Sequence, residues 1–357
     1  MMSRLSVSPV RILLICLLSA FVDTVHASSG QHDMPADMPR PAQVHLVVRI
    51  LDIVKVEEMS GVASVALEVQ QRWHDAAQAF EPRDFGRNRL DYSGADAQTR
   101  LDAMWSPAVA IENLEDEAKR KLLALSVYSG GDIVLTERLE GRYRFSSDLS
   151  AFPFDRQTLP FRFVSQYFAA DDVIFVVRDQ DRKLSTVAEE LNASDWRAGG
   201  VRFATEQFYG WSARPFARLV AEVDIDRKWP RYFLRIFVPF LAVLSVSIFI
   251  LWAPSGLIGD KPGITYSALL ALAALSFTFE ASFPGSMSVT SPIAFMISIG
   301  YFYLILALLL DLFLRSEVLT EHTRYAYLSQ EVRLAARYLM PVLFLLVCVC
   351  VTLRSLA

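Results

Sequence analysis

Four long apolar runs in the last third of this 357-residue chain constrain its fold more than any other feature. They cover residues 232–252, 264–283, 292–314 and 338–353. A helix of about 20 apolar residues spans the hydrocarbon core of a bilayer, because each residue adds about 1.5 Å of length. The first three runs reach that length, and the fourth would need the flanking Arg337 and Arg354 to reach the interfaces. We therefore expect residues 231–357 to form a bundle of four transmembrane helices.

The segment from residue 28 to residue 230 has another pattern, in which apolar and polar side chains alternate. Apolar positions lie two residues apart in the run from Val65 to Val69 and again from Leu219 to Ile225. This period is typical of half-buried antiparallel strands. Turns that contain glycine or proline separate the runs, which predicts an all-β, immunoglobulin-like sandwich. The edges of such sheets must be paired or covered, which favours an oligomer.

Residues 1–27 are predicted to form a secretory signal peptide. Arg4 and Arg11 precede an apolar run of about eleven residues, and small residues follow it. The exported loop at 284–291 contains no Lys or Arg, whereas five basic residues fall on the cytoplasmic side: Lys261, Arg315, Arg324, Arg333 and Arg337. The positive-inside rule thus agrees with the signal peptide. Together they predict a multi-pass protein of the inner membrane with an exported or periplasmic amino-terminal domain.

Six short motifs follow one another along the chain. They are Trp73-His74-Asp75, Trp105-Ser106-Pro107 with Asn113, Phe152-Pro153-Phe154-Asp155, Arg227 with Pro230, Pro239 inside the first apolar run, and Phe283-Pro284 after the second. Each motif alone is weak, but the six in this order are specific. The chain resembles the pentameric ligand-gated ion channels, the Cys-loop receptor superfamily, over nearly its whole mature length. The resemblance implies a ligand-gated channel in which each chain has four identical subunits as partners.

The loop that gives this superfamily its name lacks its disulfide here. In animal members two cysteines close the loop, and the matching positions in this chain are Phe145 and Leu159. Apolar contact would therefore hold the base of the loop closed. The linker at residues 315–337 is also too short for the large intracellular domain of many animal receptors. In both features the chain resembles prokaryotic members of the superfamily.

The same loop carries residues that the resemblance assigns to coupling between the ligand site and the pore. Pro153 fixes the backbone φ angle at the bend, and Asp155 supplies an anion. Arg227, just before the first apolar run, is the natural partner for Asp155. We expect the coupling residues to be Glu57 or Glu58, Pro153, Asp155, Arg227 and Pro284. The alternative, that these charges are unrelated and solvated, stays open because the pattern does not show burial.

The second apolar run is expected to line the pore, as its counterpart does in the superfamily. At helical spacing one stripe contains Gly263, Ser267, Leu270, Ala274, Phe277 and Ala281. Rings of Leu270 and Phe277 would form apolar constrictions that gate by dewetting, and Ser267 hydroxyl groups would replace water around an ion. An ordinary helix that packs through small residues would also explain Ala268, Ala271, Ala273 and Ala274.

Charge selectivity depends on which side chains face the pore. Asp260 and Lys261 adjoin at the expected cytoplasmic mouth, and the helix amino terminus there adds roughly half a positive charge. The Pro-Ala-Arg signature of anion-selective relatives is absent, and Glu280 adds a negative ring near the outer mouth. We expect selectivity for cations.

In the superfamily an agonist binds between neighbouring subunits, among aromatic side chains from several loops. The matching residues here are Glu112, Tyr167, Phe168, Phe208, Tyr209 and Trp211. Aromatic faces bind ammonium groups through their quadrupoles. Tyr167, Tyr209 and Trp211 are the best candidates for a cage, whereas Phe168 and Phe208 fit a place in the sandwich core equally well. The sequence does not identify the agonist.

Other function classes find little support in the sequence. The five histidines lack a paired metal-ligand spacing, and no phosphate-binding glycine loop or nucleophile elbow occurs, so we expect no enzyme activity, catalytic residue, metal or cofactor. A net charge of -4 without a basic stripe argues against nucleic acid as a partner. The main alternative to a channel is a membrane-anchored periplasmic sensor or binding protein without a conducting pore.

Overall fold

The computed structural model of the protein describes residues 33–210, 213–252, 259–283, 287, 291–314 and 323–356. The predicted signal peptide lies outside these residues. Ten strands form the first part: β1 (Ala42–Glu57), β2 (Val62–His74), β3 (Arg89–Ser93), β4 (Val109–Ile111), β5 (Lys119–Tyr128), β6 (Asp132–Arg144), β7 (Arg156–Ser165), β8 (Val173–Val176), β9 (Trp196–Tyr209) and β10 (Pro215–Arg227). Three short helices lie in the connections: α1 (Pro82–Phe85), α2 (Gly94–Asp102) and α3 (Asp179–Leu184).

The strands form two sheets that enclose one core. The larger sheet has the order β3-β5-β6-β2-β1-β8, and the smaller has the order β4-β7-β10-β9. All the paired strands are antiparallel except β1 and β8. This arrangement confirms the predicted β-sandwich.

The alternating pattern of the sequence corresponds to alternating burial. Every second residue of β10 from Leu219 to Ile225 is fully buried, and Leu67 of β2 is buried on the facing sheet. Trp73 and Trp105 lie in the same core. The apolar face of each strand therefore meets the other sheet, as period-two patterning requires.

Four long helices follow the sandwich: α4 (Pro230–Trp252), α5 (Lys261–Ser282), α6 (Pro292–Leu314) and α7 (Thr323–Leu356). Each is long and apolar enough to cross a membrane. The fourth differs from the prediction, because its apolar part runs over Gln330–Arg354 rather than 338–353. Scattered polar residues shortened the apolar run in the sequence. Strong helix formers at these positions nevertheless continue the helix.

Arg337 has another role than the predicted one of extending the fourth span towards the interface. Its Nε donates to the backbone oxygen of Leu251 at 2.8 Å, and Trp252 Nε1 donates to the backbone oxygen of Arg337 at 3.2 Å. The last carbonyl groups of a helix have no partner within the helix. Arg337 therefore caps the carboxyl end of α4 and ties it to α7.

The four helices share one apolar cluster. It includes Phe240 of α4, Leu272 of α5, Leu304 of α6 and Phe344 of α7. α5 packs against α4 and α6, and α7 packs against the same two helices. Within the described chain, α5 therefore has helix partners along one side only.

Candidate functional site

α5 buries one side and exposes the other. The buried side, towards α4 and α6, contains Lys261, Thr265, Ala268, Leu272 and Phe279. The exposed side contains five of the predicted pore residues, Ser267, Leu270, Ala274, Phe277 and Ala281, and Gly263 is half-buried. Leu270 is 73% exposed and Phe277 is 76% exposed. Large apolar side chains that are exposed at helical spacing indicate a face covered by something other than this chain.

Packing through small residues explains the alanines of α5 only in part. Ala268 is buried and Ala273 is half-buried, whereas Ala271 and Ala274 are exposed. Two of the four alanines therefore lie on the side that no helix of the described chain covers.

The amino end of α5 separates the two charges that adjoin in the sequence. Asp260 is exposed and caps the helix, because its Oδ1 accepts a hydrogen bond from the backbone N–H of Gly263 at 2.8 Å. Lys261 is buried, and its Nζ donates to the Ile250 oxygen at 2.6 Å and to Asp311 Oδ1 at 3.1 Å. The expectation that Lys261 contributes to a charged mouth is wrong for this reason. Its ammonium group forms an ion pair with Asp311 inside the subunit.

Two further polar residues of α5 have local partners. The Ser267 hydroxyl donates to the Gly263 oxygen at 2.9 Å, which leaves its own oxygen free to accept or to meet an ion. Glu280 is exposed near the other end of the helix, and its Oε2 accepts from the backbone N–H of Met287 at 3.3 Å. Both side chains thus lie outside the buried stripe.

A buried ion pair lies where the sandwich meets the helices. Arg227 Nε and Nη2 donate to the two carboxylate oxygens of Asp155 at 2.6 and 3.1 Å. Arg227 Nη2 also donates to Glu58 at 2.8 Å. Glu57 instead pairs with Lys55 at 2.9 Å. Of the two glutamates considered, Glu58 is therefore the one that joins Asp155 as a partner of Arg227. These charges form one cluster and are not independently solvated.

Aromatic rings surround the Arg227 guanidinium. Its carbon lies 4.2 Å from the Trp196 ring centroid and 4.9 Å from that of Phe152, and Nη1 donates to the Tyr232 hydroxyl at 3.2 Å. Burial acts to lower the pKa of Arg227, but hydrogen bonds to Asp155 and its charge outweigh burial and raise that pKa above its usual value. The guanidinium therefore stays charged, and cation–π contacts add to its stabilisation.

Phe152 connects this cluster to two membrane helices. It is 1% exposed, and its ring centroid lies 5.6 Å from Tyr232 of α4 and 5.0 Å from Phe283, directly after α5. Pro153 is buried beside it. Pro284, the remaining coupling candidate, lies outside the described residues. The loop at Phe152 thus packs directly against the start of α4 and the residue after α5.

An amide closes the loop that lacks a disulfide. Phe145 and Leu159 are both buried in the sandwich core. Gln157 joins the two arms, because its Nε2 donates to the Asp148 oxygen at 2.6 Å and to Asp155 at 2.8 Å, and its Oε1 accepts from the Asp148 N–H at 3.0 Å. The sequence analysis missed Gln157. Its signal was a polar residue at an inward-facing position of β7, two residues before Leu159.

An arginine contacts two residues of the candidate agonist region, Glu112 and Phe208. Arg218 of β10 binds Glu112 at 2.8 Å and Glu206 at 3.4 Å, and its guanidinium carbon lies 4.2 Å from the Phe208 ring centroid. Arg218 lies opposite Glu206 in the sheet, a register that the sequence does not reveal. The Phe208 face and the Glu112 carboxylate thus already have a cationic partner.

Two tyrosines of the predicted cage lie at one end of the smaller sheet. Tyr209 is 81% exposed and pairs with Pro215, whose oxygen accepts from the Ala170 N–H at 2.8 Å. Tyr167, three residues before Ala170, is 58% exposed. Phe168 instead packs against Trp105 with 5.5 Å between ring centroids, as a core aromatic would.

The β9–β10 connection passes close over Phe216. A Cβ atom at Gly210 would stand 2.6 Å from Phe216 Cδ2, so only glycine fits there without displacing the ring. Trp211, the next residue and the third cage candidate, lies outside the described residues. The connection is held against the outer face of β10 at this point.

The chain is similar to known proteins along most of its length. Residues 23–229 match the neurotransmitter-gated ion-channel ligand binding domain family. The proton-gated ion channel of Gloeobacter violaceus is 22% identical over 315 residues, 87% of this chain and 83% of the relative. The neuronal acetylcholine receptor subunit alpha-3 of Homo sapiens is 22% identical over 90% of this chain and 64% of the subunit. The glutamate-gated chloride channel of Drosophila melanogaster is 22% identical over 70% of this chain and 53% of the relative.

Proposed function

The chain belongs to the neurotransmitter-gated ion-channel family, and from that premise we propose that it is a homopentameric, cation-selective channel opened by a small-molecule agonist. The family consists of ligand-gated membrane channels, not of enzymes. The observation that carries the proposal is the exposed stripe of α5, with Leu270 and Phe277 outward and Asp260 at its amino end.

Five copies of α5 around one axis would cover this stripe. Rings of Leu270 and Phe277 are apolar constrictions that exclude water when narrow. The hydroxyl of Ser267 lies one turn before Leu270 and supplies oxygen to a passing ion. The exposed apolar face, which is a liability for a single chain in water, is thereby used in the assembly.

Selectivity for cations is supported by the charges at the amino end of α5. Asp260 contributes one negative charge per subunit, and the helix terminus contributes roughly half a positive charge. Lys261 contributes little, because Asp311 pairs with it inside the subunit. The balance at the mouth is therefore negative. One relative is named a chloride channel, so the sign of the selected ion rests on these residues and not on the family.

For the agonist we propose a small amine that binds between subunits near Tyr167 and Tyr209. The exposed rings of both tyrosines offer faces to an ammonium group. Glu112 and Glu206 lie nearby on the same sheet and make this surface acidic, although Arg218 balances part of that charge. Trp211 remains in the proposed cage on sequence grounds alone.

Coupling would run through the buried ion pair. Agonist binding favours one arrangement of the sandwich, and the cluster of Glu58, Asp155 and Arg227 moves with it. Phe152 passes that movement to Phe283 and hence to the end of α5. Pro284 would then act as the first residue of the connection that the moving helix end displaces.

Purified protein in planar bilayers tests the proposal. Amines, protons and divalent cations are applied in turn under a KCl gradient, and the reversal potential is read from any current. Agonist-dependent current that reverses near the potassium equilibrium potential supports a cation channel. Reversal near the chloride equilibrium potential would contradict cation selectivity but would still support a ligand-gated channel. Amine binding with no current from reconstituted pentamers would favour the membrane-anchored sensor instead.

A further inference from the structure

A cavity lies at the end of the sandwich far from the helices. It has a volume of about 330 Å³ and lies where β1 begins, β2 ends and the segment after β8 passes. The junction with the helices lies at the other end of β1, beside Glu58. We call this space the distal cavity. It lies at the opposite end of the sandwich from the pore helix and the coupling cluster.

Two buried ring nitrogens beside the distal cavity have no hydrogen-bond partner among the described residues. Trp73 is 2% exposed, and its Nε1–H lacks an acceptor. The His45 side chain is 8% exposed, and its Nδ1 is also without a hydrogen bond. An indole N–H is only a donor, and leaving such a buried donor unpaired is costly. Both nitrogens have almost no accessible surface, so a ligand in the cavity must be held by other groups of its wall.

Two arginines add positive charge to the same wall. Arg72 and Arg178 both line the distal cavity, and neither forms an ion pair with a carboxylate of the described chain. Burial lowers the pKa of His45, and the charges of Arg178 and Arg72 lower it further, although Asp181 opposes them. Arg72 lies opposite His45 in the β1–β2 pair, and Arg178 lines the same cavity, so both guanidinium groups bring positive charge towards the buried imidazole. His45 is accordingly neutral at pH 7.

The acidic groups near the cavity already have partners. Asp181 accepts a hydrogen bond from the backbone N–H of Arg178 at 3.0 Å. Asp132 pairs with His74 at 3.0 Å at the exposed rim. The two arginines are therefore the charged donors left for a ligand. The remaining wall is apolar, with Met38 and Ala42 both buried.

We propose that the distal cavity binds a small carboxylic acid with an apolar body. The carboxylate accepts hydrogen bonds from the guanidinium groups of Arg72 and Arg178, and the body lies against Met38 and Ala42. Charge-assisted hydrogen bonds from arginine to a carboxylate are short and strong, which suits this set of donors. Such a site would give the protein an anionic ligand at the end of the sandwich away from the helices.

Fluorine NMR with para-fluorobenzoate tests the site on the purified full-length protein. Line broadening reports binding, and no current is recorded, so the result does not depend on channel activity. Para-fluorobenzamide has nearly the same shape without the charge. We expect para-fluorobenzoate to bind with a dissociation constant of about 1 mM or lower. The amide should bind at least roughly tenfold more weakly, because it lacks the charge.

Arginine variants locate the binding. Arg72→Met and Arg178→Met each should weaken benzoate binding by roughly tenfold or more, because each removes a charge-assisted donor. Arg83→Met, at an exposed arginine outside the cavity, is the matched control, and size-exclusion chromatography checks that every variant assembles. Equal binding of benzoate and the amide, no binding of benzoate, or equal losses in all three variants would each overturn the proposal.

Discussion

Arg227 and Asp155 bind each other through two hydrogen bonds at a place where both side chains are at most 2% exposed. They are separated by 72 residues in the chain. One residue away on each strand, Arg156 and Asp226 form a second ion pair that is largely exposed. The same pair of strands therefore carries a buried and an exposed version of one interaction.

Breaking the buried pair should destabilise the protein far more than breaking the exposed one. Asp155→Asn leaves Arg227 buried without its carboxylate, which we expect to cost about 3–5 kcal/mol of unfolding free energy. Asp226→Asn is the control and should change the free energy of unfolding far less, because solvent screens the exposed pair. Thermal unfolding in detergent measures both. Similar losses in the two variants would show that burial does not set the strength of the pair.

The pair should also couple agonist binding to channel opening. Reversing the charge of Asp155 or of Arg227 alone should impair activation, and reversing both should recover part of it. A double-mutant cycle on the activating agonist concentration measures the interaction energy. Recovery should be incomplete because Glu58 also binds Arg227. Zero interaction energy would remove the pair from the coupling path.

Leu270→Ser should open the channel without agonist or at a lower concentration of it. Serine holds water in a ring that otherwise excludes it, so the closed state loses its advantage. About 0.5 kcal/mol per subunit would sum to roughly 2.5 kcal/mol, a shift of about seventyfold if the terms add. Leu269→Ser, at a half-buried position one residue away, is the control. Equal effects on spontaneous current would disprove the proposed pore face.

Asp260→Asn should reduce the preference for cations. Asparagine keeps the helix cap at Gly263 but removes five negative charges from the mouth of a pentamer. Reversal potentials under a KCl gradient measure the change. Lys261→Met combined with Asp311→Leu is the control, because it replaces a buried pair by apolar side chains and should leave selectivity unchanged. A larger change in the double variant would place Lys261 at the pore after all.

Tyr209→Ala should raise the agonist concentration needed for activation and leave single-channel conductance unchanged. The tyrosine is 81% exposed in the sandwich and lies far from α5 in the chain. Phe85→Ala, which removes an exposed aromatic ring from α1, should change neither property. Concentration–response curves and single-channel records from one preparation provide both readings. A conductance change without a sensitivity change would move Tyr209 out of the agonist site.

Glu137→Gln should alter how stability depends on pH. Burial raises the pKa of Glu137, although Arg120 at 3.0 Å opposes the shift. A carboxyl group with a raised folded pKa stabilises the fold below its unfolded pKa, and that contribution is lost as pH rises through the folded pKa. As pH rises through the folded pKa of Glu137, the parent protein should therefore lose stability that the Gln variant keeps. Melting temperatures across the acid range, with surface Glu81→Gln as control, would show a flat difference if the assignment is wrong.

The sequence predicts the fold well where one pattern decides it. Alternate burial from Leu219 to Ile225 follows directly from the alternation of apolar and polar residues. The four helices follow from apolar length, although the start of α7 did not, because Gln330 and Arg333 interrupt the apolar run without interrupting the helix.

The sites were harder to predict because they depend on direction and register. Glu57 and Glu58 are equivalent in the sequence, and only the turn geometry sends Glu58 to Arg227. Asp260 and Lys261 adjoin, yet one helix position turns the first outward and the second towards Asp311. Arg218 reaches Glu112 across strands whose pairing no local pattern encodes.

The hydrogen bonds by which Gln157 closes the loop have a practical consequence for labelling chemistry. The three cysteines of the chain are Cys16, Cys348 and Cys350, so the sandwich has no thiol that must oxidise before it folds. Reducing agents therefore have no bond to break in the loop, and assembly needs no oxidant. Once Cys16, Cys348 and Cys350 are replaced, a single cysteine introduced at an exposed loop position would carry a fluorophore or spin label as the one thiol of the chain. Distances across the proposed pentamer then become measurable without disturbing the hydrogen bonds that close the loop.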